Sequence, residues 1–192
     1  MYWIPIVIAI VVVLVILAVV LTVWQRHRRA RLREHFGPEY DHVVEETGSS
    51  RRAARELEAR ERRVEELEIR PLTPDEADAF AREWQDVQAK FVDNPQLATA
   101  EADDLVARVM RARGYPVTDF ERRAADVSVH HPVVVEHYRT AHDIAQRAGR
   151  GEASTEDLRQ ALIHYRALFD DLLETTPGAP RSAEEPRLRR AS

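Results

Sequence analysis

The chain has no cysteine. Disulfide frameworks, thiolate nucleophiles and Cys-ligated zinc or iron–sulfur sites are therefore excluded, and the redox compartment stays open. Glycine is scarce, with 6 residues in 192. None belongs to a G-x-G-x-x-G, G-x-x-x-x-G-K-[S/T] or G-x-S-x-G pattern, so phosphate-cradling loops and a nucleophile elbow are missing. Lys90 is the one lysine among 28 basic residues. The preference for Arg, with abundant Ala, reflects a GC-rich coding sequence and carries no mechanism.

Charge is absent from the opening of the chain. Of residues 1–24, all but Pro5 and Thr22 are apolar, and every one of the 28 basic and 33 acidic residues lies further on. Residues 4–24 as a helix span about 31 Å, against a hydrocarbon core of about 30 Å. A helix is the open-chain form that satisfies its own backbone in lipid. Tyr2, Trp3 and Trp24 flank the run where amphipathic rings favour the interfaces. A cleaved signal peptide needs a basic start and an apolar core of about 7 to 15 residues; nothing basic precedes this run, and it is longer. An uncleaved anchor over 1–24 is expected. It holds no ionisable group and no G-x-x-x-G face, so neither conduction nor tight helix dimerisation is encoded.

Arg26, Arg28, Arg29, Arg31 and Arg33 come directly after it. By the positive-inside rule this basic juxtamembrane segment, 25–36, places the remainder of the chain in the cytoplasm. The arginines, with Tyr2, Trp3 and Trp24, are the expected membrane-interface residues. The expected location is the bacterial inner membrane, single-pass, N-terminus out. Residues 34–180 hold 31 acidic and 19 basic side chains. So acidic a body repels nucleic acid phosphates, and nucleic acid is not expected as a partner.

The rest reads as all-α, with no alternating strand pattern. Gly37-Pro38 opens a short helix that ends near Gly48, Pro38 suiting the first helical position. Ser49 or Ser50 starts a charged helix to about Arg70, supported by the pairs Glu56/Arg60, Glu58/Arg62 and Glu66/Arg70. Its apolar positions Ala53, Leu57, Val64 and Leu67 form a 4-3-4-3 seam only if Arg60 fills the gap. Residues 37–70 therefore read as a charged helical stalk, lying against the bundle or standing off the membrane, with a dimeric coiled coil as a further option.

Thr73-Pro74-Asp75-Glu76 is a capping box opening a helix to about Val92, striped Phe80, Trp84, Val87, Phe91. Asn94-Pro95 caps the next, which stops at Gly114. Thr118-x-x-Glu121 caps a short one. Pro132 begins another that closes at Gly149, and Ser154-Thr155 precede the last and most apolar. Short loops favour a small antiparallel bundle over 71–175. The Pro-rich tail, 176–192, reads as disordered.

Eight histidines raise metal binding. Glu39-x-x-His42 has half the spacing of a di-metal carboxylate site but lacks its second half. His137 and His142, five apart on a helix, diverge by about 140°. His130 and His131 sit in a turn where solvated or capping roles are common, and His164 borders an apolar stripe. Asp103-Asp104 and Asp170-Asp171 diverge by about 100°. Tyr40, Tyr115, Tyr138 and Tyr165 read as core, and no catalytic, cofactor-binding or metal residue is assigned.

The strings Phe36-Gly37-Pro38-Glu39-Tyr40-Asp41, Phe91-Val92-Asp93-Asn94-Pro95, Arg113-Gly114-Tyr115-Pro116-Val117 and Ser154-Thr155-Glu156-Asp157-Leu158-Arg159-Gln160 resemble a group of bacterial single-pass membrane proteins of uncharacterised function from GC-rich genomes. The resemblance covers about residues 3–174 and implies an N-terminal anchor before a charged helical region; it implies no activity or cofactor. The expected function is a membrane-anchored helical interaction or scaffold module, with the lipid bilayer and a protein as partners. Its rivals are a His/carboxylate metal-binding protein or enzyme, and the same module displayed outside the cell.

Overall fold

The computed structural model describes residues 3–116 and 118–174, without the side chains of 4–13, 18, 21 and 25. Tyr2 and the tail 176–192 lie outside the described residues. The described residues form eight helices: α1 (Trp3–Phe36), α2 (Pro38–Thr47), α3 (Ser50–Glu65), α4 (Pro74–Lys90), α5 (Pro95–Ala112), α6 (Phe120–Val127), α7 (Val135–Gly149) and α8 (Thr155–Glu174). Among the described residues there is no strand, and the fold is all-α. The expected spanning stretch, 4–24, falls largely on side chains outside the described set. Among the described residues no helix is long and apolar enough to cross a membrane.

Two hydrophobic cores share the body. The larger is a helical bundle of α4, α5, α7 and α8 with α6 laid across it. Trp84 is 1 % exposed and stacks on Phe169 with ring centroids 4.7 Å apart, while Tyr138 and Tyr165 meet edge to face behind it. The stripe expected on α4 thus does core packing. The smaller core joins Leu32 and Phe36 of α1 to Tyr40 and Val43 of α2 and to Ala53, Leu57 and Val64 of α3. Apolar run and basic segment belong to one uninterrupted helix of 34 residues. Its last turns are built into the body.

The α3 seam corrects the coiled-coil option. Ala53, Leu57, Arg60 and Val64 are all buried inside this chain, so the face that a second copy would need is already taken. Arg60 does fill the gap in the apolar pattern. It is tolerated there because the buried Glu39 carboxylate accepts from its Nη1 at 2.7 Å.

Local starts and stops follow capping chemistry, with three corrections. The Thr73/Glu76 box forms in both directions, and Asn94 accepts from the Leu97 amide. Hydrogen bonds from Arg70 and from the Thr73 amide hold the Glu76 carboxyl at about 2. α3 ends at Glu65 instead of Arg70, because Leu67 packs on the smaller core while Leu72 packs on the larger and Ile69 touches both. A continued helix would not deliver these side chains to two cores, and the segment turns out of the helix, with the Ile69 amide donating to the Leu67 carbonyl at 3.0 Å and the Arg70 amide to the Arg113 carbonyl at 2.9 Å. Arg70 then pairs with Glu76, not Glu66.

Asp119, not Thr118, caps α6 by accepting from the Arg122 amide at 2.9 Å. A carboxylate there also gains from the positive end of the helix dipole. Glu121, expected to complete a box, instead accepts from Arg139. α7 starts at Val135 rather than Pro132. The amides of Val134 and Val135 bond back to the His131 carbonyl, which makes 128–134 a run of turns.

Candidate functional site

The sequence points first to the end of the apolar run. Trp3 and Trp24 are exposed. The Arg28 guanidinium lies 5.0 Å from the Trp24 ring centroid, a cation–π contact. Arg28 also pairs with Glu58, Arg31 reaches Glu61 at 3.0 Å and Arg33 reaches Asp41 at 3.2 Å. Three of the five arginines in 26–33 therefore clip α1 to α2 and α3. Arg26 stays exposed and Arg29 half-buried. Trp24, His27, Arg28 and Arg31 face Glu58, Glu61, Arg62 and Glu65 across a groove of mixed charge. Much of the charge on Arg28, Arg31 and Arg33 thus holds α1 to α2 and α3.

A second polar group joins the two cores. Glu39 on α2 accepts from Arg60 of α3 at 2.7 Å and from Arg139 of α7 at 2.9 Å, both on Oε1. Its side chain is wholly inaccessible, and those of the two arginines are 6 % and 13 % exposed. Arg63 of α3 donates to Asp126 of α6 at 2.7 Å, and His35 of α1 bonds the Val129 carbonyl at 2.9 Å. Charges buried this completely persist only when paired and hydrogen-bonded. Glu39 and His42 do not act together: Glu39 points inward, whereas His42 sits 3.3 Å from Glu46.

The third group lies where α5, the 128–134 turns and α8 converge. Arg113 is fully buried and donates from Nη1 to the Leu172 carbonyl at 2.8 Å. The Tyr115 hydroxyl meets His130 Nδ1 at 2.8 Å, and His131 Nδ1 contacts the Asp171 carboxylate. His131 is 2 % exposed, which corrects the solvated role expected of it. Burial pushes the Tyr115 hydroxyl well above its ordinary value. Burial first, then the charges of His131, Arg113 and His35, pushes His130 below 6.5.

A His–Asp pair is how a general base is oriented, but catalysis also needs a reacting group and access for substrate. Here His131 is closed off from solvent, and the hydroxyl in the group, Tyr115, is engaged by His130 with its ionisation suppressed. The arrangement suits a clamp between α5, α8 and the turns.

That clamp has a pH dependence. A histidine whose folded value is depressed binds its proton more readily in the unfolded chain, so stability is complete above about 6.5 and declines as pH falls. His130, His142 and His164 share this sign. Thermal melts should be flat from pH 8 to 7 and fall between pH 6.5 and 5, less steeply in His130→Gln. A melting temperature unchanged down to pH 5 contradicts burial of these rings.

The acidic neighbours diverge as helix geometry requires. Asp104 binds Arg108 and Asp103 lies 4.0 Å from Arg123, while Asp170 binds Arg166 and Asp171 turns to His131. Among the described residues no group of three or more His, Asp or Glu side chains could hold a metal ion. One histidine contact was hidden from the sequence: His137 of α7 and His164 of α8 meet with their Nδ1 atoms 2.8 Å apart. In the link between the cores, Arg60 left a trace in the sequence as the gap in the α3 seam, while its pairing with Glu39 and that of Glu39 with Arg139 left none. Comparison with protein-family models, with curated proteins and with solved structures gave no match.

Proposed function

We propose that the chain is a single-pass protein of the bacterial inner membrane whose cytoplasmic helical body serves as a docking module for another protein. The observation that carries this reading is α1 itself, one helix that begins in the apolar run and ends inside the body's smaller core. Leu14, Val15, Ile16, Leu17, Val19 and Val20 are 52–57 % exposed, whereas Leu32 and Phe36 are 0 % exposed. Side chains of that apolarity, left uncovered by the rest of the chain, suit lipid as their solvent. The basic stretch beyond Trp24 supports a cytoplasmic body, since orientation is set by the unfolded loop during insertion. Pairing of Arg28, Arg31 and Arg33 with carboxylates comes later, on folding. A continuous helix fixes the body at a set height and angle to the bilayer, as suits an adaptor. The buried ion pairs, which tie helices to one another and are closed to solvent, favour a binding role over catalysis.

The test combines extraction with topology. The full chain should stay in the membrane pellet after alkaline carbonate, and leave it only with detergent. A fluorescent protein fused after Ser192 should be bright, and a phosphatase that needs export inactive. Crosslinking followed by detergent extraction should recover a reproducible protein partner. Release by carbonate overturns the anchor, the opposite reporter pattern overturns the orientation, and absence of a partner overturns the docking role.

A further inference from the structure

We propose that His137 and His164 form a two-histidine site for a divalent transition-metal ion, copper(II) above all, bridging α7 and α8 on the surface of the bundle. The rings come from residues 27 positions apart and stand with centroids 5.0 Å apart and planes inclined by 29°. Two imidazoles bound to one metal at about 2.0–2.1 Å, with an angle of about 90° between the bonds, hold their nitrogens about 2.9 Å apart. The observed Nδ1 separation is 2.8 Å. With the nitrogens nearly in place, turning each ring by about 45° so that both lone pairs converge on one point turns the contact into a chelate.

The site is accessible. His137 is exposed and His164 half-buried, so an ion can arrive from solvent without opening the bundle. In the metal-free pair one Nδ1–H donates to the lone pair of the other Nδ1. On binding, the donating ring moves its proton from Nδ1 to Nε2 through water, and both Nδ1 lone pairs then face the ion. Two neutral rings thereby bind metal with no net proton released.

Burial, and then the charge of His137, lowers the value of His164 and favours its neutral ring. No third protein carboxylate or imidazole joins the pair among the described residues, so water completes the coordination. Imidazole donors select Cu2+ over Ni2+ and Zn2+ by the ordinary stability order, and leave Mg2+ and Ca2+, which want oxygen ligands, unbound. The metal site is independent of the anchor and docking reading, which neither supports nor requires it.

The full chain in detergent, stripped with a chelator, is titrated with CuCl2 alone at pH 7.5, following calorimetric heat and the nitrogen couplings in the copper spin resonance spectrum. One equivalent should bind in a saturable step with nitrogen ligation, MgCl2 should give none, and the melting temperature should rise with copper. His137→Ala and His164→Gln should each weaken that step at least tenfold, while His142→Ala, whose ring stacks on Phe120, should leave it unchanged. Circular dichroism of each variant checks that the bundle is intact, and exposed His137 is the substitution least able to disturb it. The proposal is overturned if no one-equivalent step is seen, or if both variants bind copper within tenfold of the parent.

Discussion

Glu39→Ala is expected to destabilise the body by about 3–5 kcal/mol, the range found when one partner of a buried charge pair is removed. The carboxylate is wholly inaccessible and accepts from both Arg60 and Arg139. Alanine would leave two largely buried guanidiniums facing each other with the charge between them gone. Arg60 keeps Glu56 and Arg139 keeps Glu121, but those carboxylates are 46 % and 74 % exposed and offset little. For a chain of this length each kcal/mol corresponds to about 2–4 °C, so melting should fall by about 6–20 °C. Glu39→Gln keeps an acceptor and should fall between parent and alanine variant.

Because Glu39 ties α2 to α3 and α7, hydrogen exchange should quicken in α2 and α3 before it does in α5 and α8. A triple change of Glu39, Arg60 and Arg139 to Leu or Met should recover most of the loss, since a buried ionic group replaced as a whole by apolar side chains is often neutral. Should Glu39→Ala melt within 2 °C of the parent, the ionic link between the cores is not what joins them.

The second large effect is expected at Gly114. Its φ is +97°, and a Cβ there would stand 2.5 Å from the Glu68 backbone carbonyl oxygen. Nothing at that contact is a flexible side-chain end. The backbone must move, and with it the Arg70 amide bonded to the Arg113 carbonyl. Unfavourable φ alone is worth about 1–3 kcal/mol, and the clash adds to it, so Gly114→Ala should cost about 3 kcal/mol or more. Gly48→Ala provides the contrast. Its φ is also positive, at +64°, but the nearest atom is the Arg52 guanidinium at 3.8 Å, and a cost of about 1 kcal/mol is expected, the left-handed penalty alone. Chemical unfolding of the two variants side by side would reveal the difference; equal losses would mean that the crossing of 66–72 over the end of α5 does not constrain the fold.

Both glycines read alike in sequence, as helix stops. The order and nature of the helices were legible because capping and amphipathic patterning act within a few residues. Thr73 with Glu76, Asn94 before Pro95, and the stripe through Trp84 each carry their own signal. Where expectation failed, a distant partner had intervened. Leu67, Ile69 and Leu72 end α3 early because two cores compete for them, and Asp119 displaces Thr118 at a cap while Glu121 is drawn to Arg139. His131 is buried because Asp171, 40 residues away, is there to receive it.

The candidate sites were less legible still. Arg60 announced itself as a break in an apolar seam, but nothing local identified Glu39 and Arg139 as its partners. The arginines of 26–33 were visible as a cluster, and their carboxylates on α2 and α3 were not. His137 and His164 carry no mutual signal, since each sits on its own helix among ordinary neighbours.

The amino-acid order by itself determined the helical class, most of the caps and the sharp division between an uncharged opening and an acidic body, since these depend on hydrogen-bonding and hydrophobic period over a few turns. Only the tertiary structure decided which helices share a core, which arginines are tied to carboxylates and which two histidines touch. Those outcomes depend on long-range packing, whose partners are fixed by how two cores meet and not by any spacing along the chain.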